Sequence, residues 1–286
     1  MKKIDSYIKK INDRLEMLLK TPESYIEVLY RSMRYSVFAG GKRIRPLLSM
    51  AAAEIVEYDR DICLDFACAI EMIHTYSLIH DDMPSMDDDD YRRGKLTNHK
   101  VFGEAMALLT GDALLNLAAS VMAERSAECT VPSRAVKAMA YILDCSGPVG
   151  MIAGQVLDTG SKDCDLELMH SLKTGKLITA SLVFPAILSG DRDAIVRLEK
   201  IGALVGLAFQ IKDDILDVEG SFEEMGKMTG RDMKLEKVTY ASLYGIDGAK
   251  KLLEQETEKA LLLCEETGGD YEFLKYLILK ISKRDD

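Results

Sequence analysis

Apolar residues recur at three- and four-residue steps from the start of the chain, at Ile4, Ile8, Ile11, Leu15 and Leu18, the period of one face of a helix. A second helix is predicted over Tyr25–Phe38, stopped by Ala39-Gly40-Gly41. Pro46 then suits the first turn of a helix through Leu47–Ile55, where a missing N–H breaks no hydrogen bond. Asp65 to about Met83 reads as helix and should end near Pro84, which cannot continue the backbone ladder. Phe102–Ala127 is apolar almost all round, the mark of a helix at a bundle's centre. Further helices are expected at Ala135–Cys145, Val149–Leu157, Asp165–Ser189, Asp193–Val218, Tyr240–Glu266 and Tyr271–Ile281. No alternating stretch is long enough to predict a sheet, and polar loops are expected at Asp87–His99 and Glu219–Val238. Without internal repeats or low-complexity linkers, residues 1–286 read as a single all-α bundle.

Composition supports that reading. Six prolines and no tryptophan occur, and the dominant Leu, Met, Ala, Lys and Glu lose little rotamer freedom in a helix. Hydrophobic residues at 48% against 29% charged describe a packed chain rather than a disordered one. The net charge of −10, from 47 acidic and 37 basic residues, argues against nucleic acid, whose phosphates need a basic footprint. An anionic substrate then requires metal ions between protein acid and substrate acid. Six cysteines (Cys63, Cys68, Cys129, Cys145, Cys164, Cys264) are scattered without CxxC or zinc spacing, as expected for reduced, buried thiols of a cytoplasmic protein. The charged N-terminus is no signal peptide, and the longest apolar run, Ile201–Ile211, is too short for a bilayer. No membrane anchor is expected.

Two acidic motifs carry the candidate chemistry. Asp81-Asp82-Met-Pro-Ser-Met-Asp87 and Asp213-Asp214-Ile-Leu-Asp217 each follow an apolar helical run. Asp213 and Asp217 are four apart, so their side chains point within roughly 40° of each other, and Gln210 joins that stripe. Asp81 and Asp87 would splay on a straight helix, but Pro84 ends it and lets Asp87 fold back. Such carboxylates suit Mg²⁺, a hard cation that shares its ligands with substrate phosphates. An acidic run is ordinarily a solvated loop. Two such clusters at the ends of apolar helices instead carry repulsion that needs compensating cations.

Basic clusters could grip the remaining oxygens of a metal-bound diphosphate. Gly40-Gly41-Lys42-Arg43-Ile44-Arg45-Pro46 opens a helix, where N–H groups and the dipole favour anions. Arg92-Arg93-Gly94 follows the acidic loop, and Lys227, Arg231, Lys234 and Lys237 lie in a glycine-punctuated loop. Lys173-Thr174-Gly175-Lys176 interrupts an expected helix with an unfavourable glycine. Each alone reads as a surface turn or kink. His74, seven residues before Asp81, lies close to the same helical stripe; a lone His on an apolar helix is more often a core residue than a ligand, and the residues alone leave its role open.

The segments GGKRIRPLL (40–48), EMIHTYSLIHDDMPSMDDDDYRRGKLTNHKVFGEAMALLTGDALL (71–115), GQVLD (154–158), KTGKL (173–177), GLAFQIKDDILDVEG (206–220) and GKMTGRDMKLEKVTY (226–240) together resemble the polyprenyl synthetase family, most closely its bacterial farnesyl diphosphate synthases. The resemblance runs from about residue 30 to 245 and implies the type I isoprenoid synthase fold, a helical bundle around a central cavity, usually as a homodimer. It implies that Asp81 and Asp87, with Asp82 beside them, ligate two Mg²⁺ ions, and that Asp213 ligates a third, supported by Asp214 and Asp217. Arg92, Lys173, Lys227 and Lys237 would hold an allylic diphosphate (dimethylallyl or geranyl). Lys42, Arg45, His74 and Arg93 would hold isopentenyl diphosphate, while Thr174 and Gln210 would face the developing carbocation. Leu96 stands where the family often has Pro, and Thr110 where Ala is common; neither removes a ligand.

The implied reaction is ionisation of the allylic ester, attack by the isopentenyl double bond and proton loss. Tyr76, five residues before Asp81, resembles a floor limiting the product to farnesyl diphosphate. Helix geometry alone would place Ser77 nearest below Asp81, with Tyr76 a core aromatic. A geranylgeranyl product is the alternative length. Rival readings are a phosphohydrolase built on His80-Asp81, for which four histidines (His74, His80, His99, His170) are a thin supply, a non-catalytic partner subunit, and a head-to-head or cyclising terpene synthase.

Overall fold

The computed structural model describes residues 2–160, 165–219, 238–266 and 270–284. In chain order the described helices are α1 (Lys2–Leu18), α2 (Glu27–Val37), α3 (Ile44–Ile55), α4 (Arg60–Asp81), α5 (Asn98–Phe102), α6 (Glu104–Glu128), α7 (Pro132–Ser146), α8 (Met151–Gly160), α9 (Leu166–His170), α10 (Lys176–Ser189), α11 (Arg192–Glu219), α12 (Tyr240–Glu265) and α13 (Glu272–Ser282). The fold is an all-α bundle. The expected loop after Asp87 differs in one respect: it contains a two-residue antiparallel ladder, β1 (Tyr91–Arg92) with β2 (Lys95–Leu96), too short for any alternation to announce it.

One apolar cluster runs through the bundle from Ile4 to Ile281. Its centre is α10, where every residue except Lys176, Ile187 and Ser189 is buried. Close approach to α11 needs Gly202, where an added Cβ would lie 2.7 Å from the Thr179 Cα. The expectation that the stretch after Phe102 holds the centre is therefore corrected. In α6 Leu108 and Leu109 stand 47% and 54% exposed, because an all-round apolar helix advertises surface to be covered without saying by what. Among the described residues three helical stretches, Arg60–Asp81, Glu104–Glu128 and Leu166–Ser189, are long and apolar enough to cross a membrane, more than the uninterrupted runs alone suggest. The first of these is threaded by ionic ties: Asp65 on α4, 0% exposed, is gripped by Arg14 on α1 and Arg125 on α6.

Several helix boundaries moved by a few residues, and one expected helix is not uniform. Helix α4 stops at Asp81 rather than Met83. The stretch from Asp165 to Ser189 is not uniformly α but contains a π turn over Ser171–Gly175. The described cysteines are all buried, and burial raises their thiols above the ordinary range. Cys164 lies outside the described residues.

Candidate active site

The apolar body of α4 delivers the first acidic motif to the end of the bundle. Asp81 closes the helix and Pro84 prevents another turn. The chain then doubles back as expected: the Asp87 N–H donates to the Asp81 carbonyl at 2.9 Å, and the Asp89 N–H to the Asp82 carbonyl at 3.2 Å. Asp82 is 3% exposed and accepts from Arg92 Nε at 2.6 Å. Burial raises its carboxyl, and Arg92 works against that. Asp81 lacks so close a cation. Burial pushes its carboxyl up to about 6, with Lys173 lowering it and Asp87 raising it further.

Lys173 and Thr174 sit in the π turn, which re-aims side chains that an α-helix would spread differently. Glycines make room for it. A Cβ on Gly154 would fall 2.1 Å from the Lys173 nitrogen, and one on Gly206 2.8 Å from the Gly175 Cα. Lys173 Nζ donates to Asp158 Oδ2 at 2.6 Å. The Thr174 hydroxyl donates to Gln210 Oε1 at 3.0 Å, and Gln210 Nε2 donates to Asp214 Oδ1 at 2.9 Å. That chain ties the π turn to the second acidic motif on α11. The other oxygen of Asp214 accepts the Tyr240 N–H at 2.8 Å, so this carboxylate also caps the start of α12. Asp217 is 7% exposed, whereas Asp213 is paired with Arg284, whose guanidinium also stacks 3.8 Å from the Phe209 ring centroid.

The basic cluster is set by a left-handed stretch, with φ of +119° at Gly40, +114° at Gly41 and +52° at Arg43. Arg93 Nη1 donates to the Gly40 carbonyl at 2.5 Å, and a Cβ on Gly41 would strike that guanidinium at 2.7 Å. Arg43 is buried, donating to Glu71 Oε1 at 2.8 Å, the Val37 carbonyl at 2.7 Å and Asn12 Oδ1 at 3.0 Å. It anchors the loop from which Lys42 and Arg45 extend. Burial lowers Arg45 to about 10, against the pull of Glu71 and Asp213. Its Nε is buried without a hydrogen-bond acceptor among the described residues, a donor waiting for an anion. Burial first, then the neighbouring arginines, hold His74 well below its usual value. Its imidazole is neutral at pH 7.

A cavity of about 360 Å³ joins these parts, lined by Arg45, His74, Tyr76, Ser77, Asp81 and Lys173 among others. Met151 and Ile152 of α8 give it apolar wall. The hollow thus gathers Asp81 of the first acidic motif, Arg45 and His74 of the isopentenyl-type cluster, Lys173 and Thr174 of the π turn and both candidate floor residues, while Asp82, Arg92 and Arg93 line a separate, smaller pocket beside it. Lys227, Arg231, Lys234 and Lys237 lie outside the described residues. Among the described residues no three His, Cys, Asp or Glu side chains converge into a ready metal cage. The donor set still fits Mg²⁺: hard carboxylate oxygens, one of them short of positive charge, for an ion that keeps waters and borrows phosphate ligands. Asp158, Glu71 and Arg284 received no role from the sequence. The first sits in GQVLD, three residues past the cavity-lining Gln155, and that spacing was the available signal.

Known proteins resemble this chain in sequence and fold. The polyprenyl synthetase family model matches residues 26–268. The chain is 44% identical over 263 residues to farnesyl diphosphate synthase of Geobacillus stearothermophilus, covering 90% of this chain and 89% of that one. It is also 44% identical to a chloroplastic geranylgeranyl pyrophosphate synthase of Capsicum annuum, over 87% of this chain and 69% of that one. Among solved structures, an FPP/GFPP synthase of Zymomonas mobilis superposes with a TM-score of 0.86 at 34% identity, covering 98% of both chains. A Helicobacter pylori geranyltransferase, solved with magnesium and isoprenyl diphosphate, superposes with a TM-score of 0.83 at 31% identity, over 96% of this chain and 95% of that one. The bundle, the paired acidic motifs and these matches make this chain a prenyltransferase with the type I isoprenoid synthase fold, a member of the polyprenyl synthetase family.

Proposed function

We propose that this short-chain prenyl diphosphate synthase joins isopentenyl diphosphate to dimethylallyl and then geranyl diphosphate, with farnesyl diphosphate as product. The carrying observation is the single cavity in which Asp81 and Lys173 share an apolar-walled hollow with Arg45 and His74. One face suits a metal-chelated diphosphate and the other a second anion.

In this reading Asp81, Asp82 and Asp87 hold two Mg²⁺ ions, and Asp213, Asp214 and Asp217 a third. When bound, these ions neutralise the leaving diphosphate and so ease its departure. Lys173, steadied by Asp158, and Arg92, steadied by Asp82, hold the allylic diphosphate with Lys227 and Lys237. Lys42, Arg45 and Arg93 hold the isopentenyl diphosphate, and neutral His74 offers a hydrogen bond there. The allylic C–O bond breaks first, its electron pair leaving with the diphosphate, and the isopentenyl double bond then attacks the allylic cation to form the new carbon–carbon bond. The lost proton passes to the released diphosphate. The Thr174 and Gln210 oxygens face the transient positive charge, and the Met151–Ile152 wall keeps out water that would trap it.

Tyr76 is taken as the floor for the farnesyl chain, with Ser77 beside it. The relatives named for geranylgeranyl products make the longer chain the second reading. The chain is further read as one cytoplasmic domain, supported by the apolar cluster that spans Ile4 to Ile281. It is read as a homodimer, in which a second copy covers the exposed Leu108–Leu109 face of α6. Incubation with isopentenyl and geranyl diphosphates plus Mg²⁺, followed by chromatography, tests the reaction. Release of phosphate without a prenyl product would overturn it.

A further inference from the structure

We infer that His80, seated in a notch left by Gly111, is a positioning residue that holds Tyr76 across the cavity and thereby sets product length. The inference rests on the reading above, in which the cavity receives the growing prenyl chain.

His80 lies one residue before Asp81 on α4, facing α6. Its Nε2 lies 3.1 Å from the Leu108 carbonyl oxygen. That carbonyl is in mid-helix and has a second lone pair for an imidazole N–H. A Cβ built on Gly111 would lie 2.1 Å from Nε2, 2.5 Å from Cδ2 and 2.8 Å from Cε1 of His80. The imidazole therefore fills the volume that any other residue at 111 would claim. Glycine in a helix interior is unfavourable relative to alanine, and this docking is a packing reason for it.

Tyr76 stands four residues earlier, one turn below on the same face. Its ring meets the His80 ring edge-on at 5.8 Å between centroids. Both side chains line the cavity with Asp81. Three positions thus form a stack: Gly111 leaves the notch, His80 fills it, and Tyr76 leans on His80. Enlarging residue 111 evicts the imidazole toward the cavity. Removing the imidazole gives Tyr76 the vacated notch to swing into, and the floor opens.

The test uses the full chain and five variants, with product length and the ratio of farnesyl to geranylgeranyl diphosphate affinity as readouts. His80→Ala should raise the share of products longer than farnesyl several-fold and shift the affinity ratio toward the longer ligand. Gly111→Ala should move both the opposite way. His80→Gln, which keeps an N–H able to reach the Leu108 carbonyl, should retain the parent length. In a Tyr76→Ala background, His80→Ala should add nothing, because its effect passes through Tyr76. Shifts of equal size with and without Tyr76, or His80→Ala and Gly111→Ala moving length in the same direction, would overturn the inference. So would no shift in either readout for a folded His80→Ala protein. A parent chain that makes no prenyl product would instead sink the functional reading, and the affinity ratios would still decide the role of His80.

Discussion

Burial strains the Asp81 carboxylate at neutral pH, and Asp81→Asn measures by how much. Burial raises its carboxyl from 3.8 to about 6, so the folded chain binds this proton more tightly than the unfolded chain does. The associated stability is fully present below about pH 4 and is lost as pH rises through about 6. Holding the proton about a hundredfold more tightly corresponds to about 3 kcal/mol; the buried amide retains part of the desolvation cost, leaving a gain of about 1–3 kcal/mol above pH 6. In metal-free buffer with a chelator at pH 7.5, the variant should unfold at higher urea and melt several degrees higher, at roughly 2–4 °C per kcal/mol. At pH 4 the two proteins should coincide. Mg²⁺ should then stabilise the parent more than the variant. If Asp81→Asn is no more stable at pH 7.5, or if its advantage persists undiminished at pH 4, the carboxylate is not the strained group described.

Glu71→Gln leaves Arg43 buried beside a neutral partner and should cost about 3–5 kcal/mol in urea unfolding, whereas replacing both by apolar residues (Arg43→Met with Glu71→Leu) should recover most of it; a double variant no better than the single counts against this. Tyr76→Ala should lengthen the product beyond farnesyl by chromatography, and an unchanged distribution would remove Tyr76 as the floor. Arg284→Gln frees Asp213, 38% exposed, from an ion pair worth about 1 kcal/mol. Mn²⁺ affinity, followed by electron paramagnetic resonance, should then tighten by up to about 5-fold, and a weaker affinity would mean that Arg284 aids the metal rather than competing with it.

The helices and both acidic motifs were legible because each rests on local rules: period, proline and glycine punctuation, and four-residue spacing. What escaped was nonlocal. The apolar circumference of α6 was visible, but periodicity reports that a face wants cover without naming the cover, so its exposed Leu108–Leu109 side read as bundle centre. The π turn at Ser171–Gly175 exists because Gly154 and Gly206 on other helices yield space to it, and no window around Lys173 contains that information. Glu71 looked like any acid on a helix until Arg43 reached it from 28 residues away. Arg284 lies beyond the stretch carrying the family resemblance, and only the return of α13 to α11 brings it to Asp213.

Those nonlocal contacts change the electrostatic argument. A net charge of −10 and two acidic motifs suggest a site of unrelieved repulsion awaiting metal. The structure instead supplies a resident cation or donor to several acids: Arg92 to Asp82, Arg284 to Asp213 and the Tyr240 N–H to Asp214 in the two motifs, and Lys173 to Asp158 beside them. A bare divalent ion arriving at this site gains less than the acid count implies, since several carboxylates are already engaged. A diphosphate arriving with its metals can answer both charges at once, giving anions to Arg92 and Lys173 and cations to the acids they leave. On that exchange, metal and allylic diphosphate should bind with positive coupling, so Mn²⁺ titrations with and without a non-reacting allylic diphosphate analogue should differ, and equal affinities would refute the exchange.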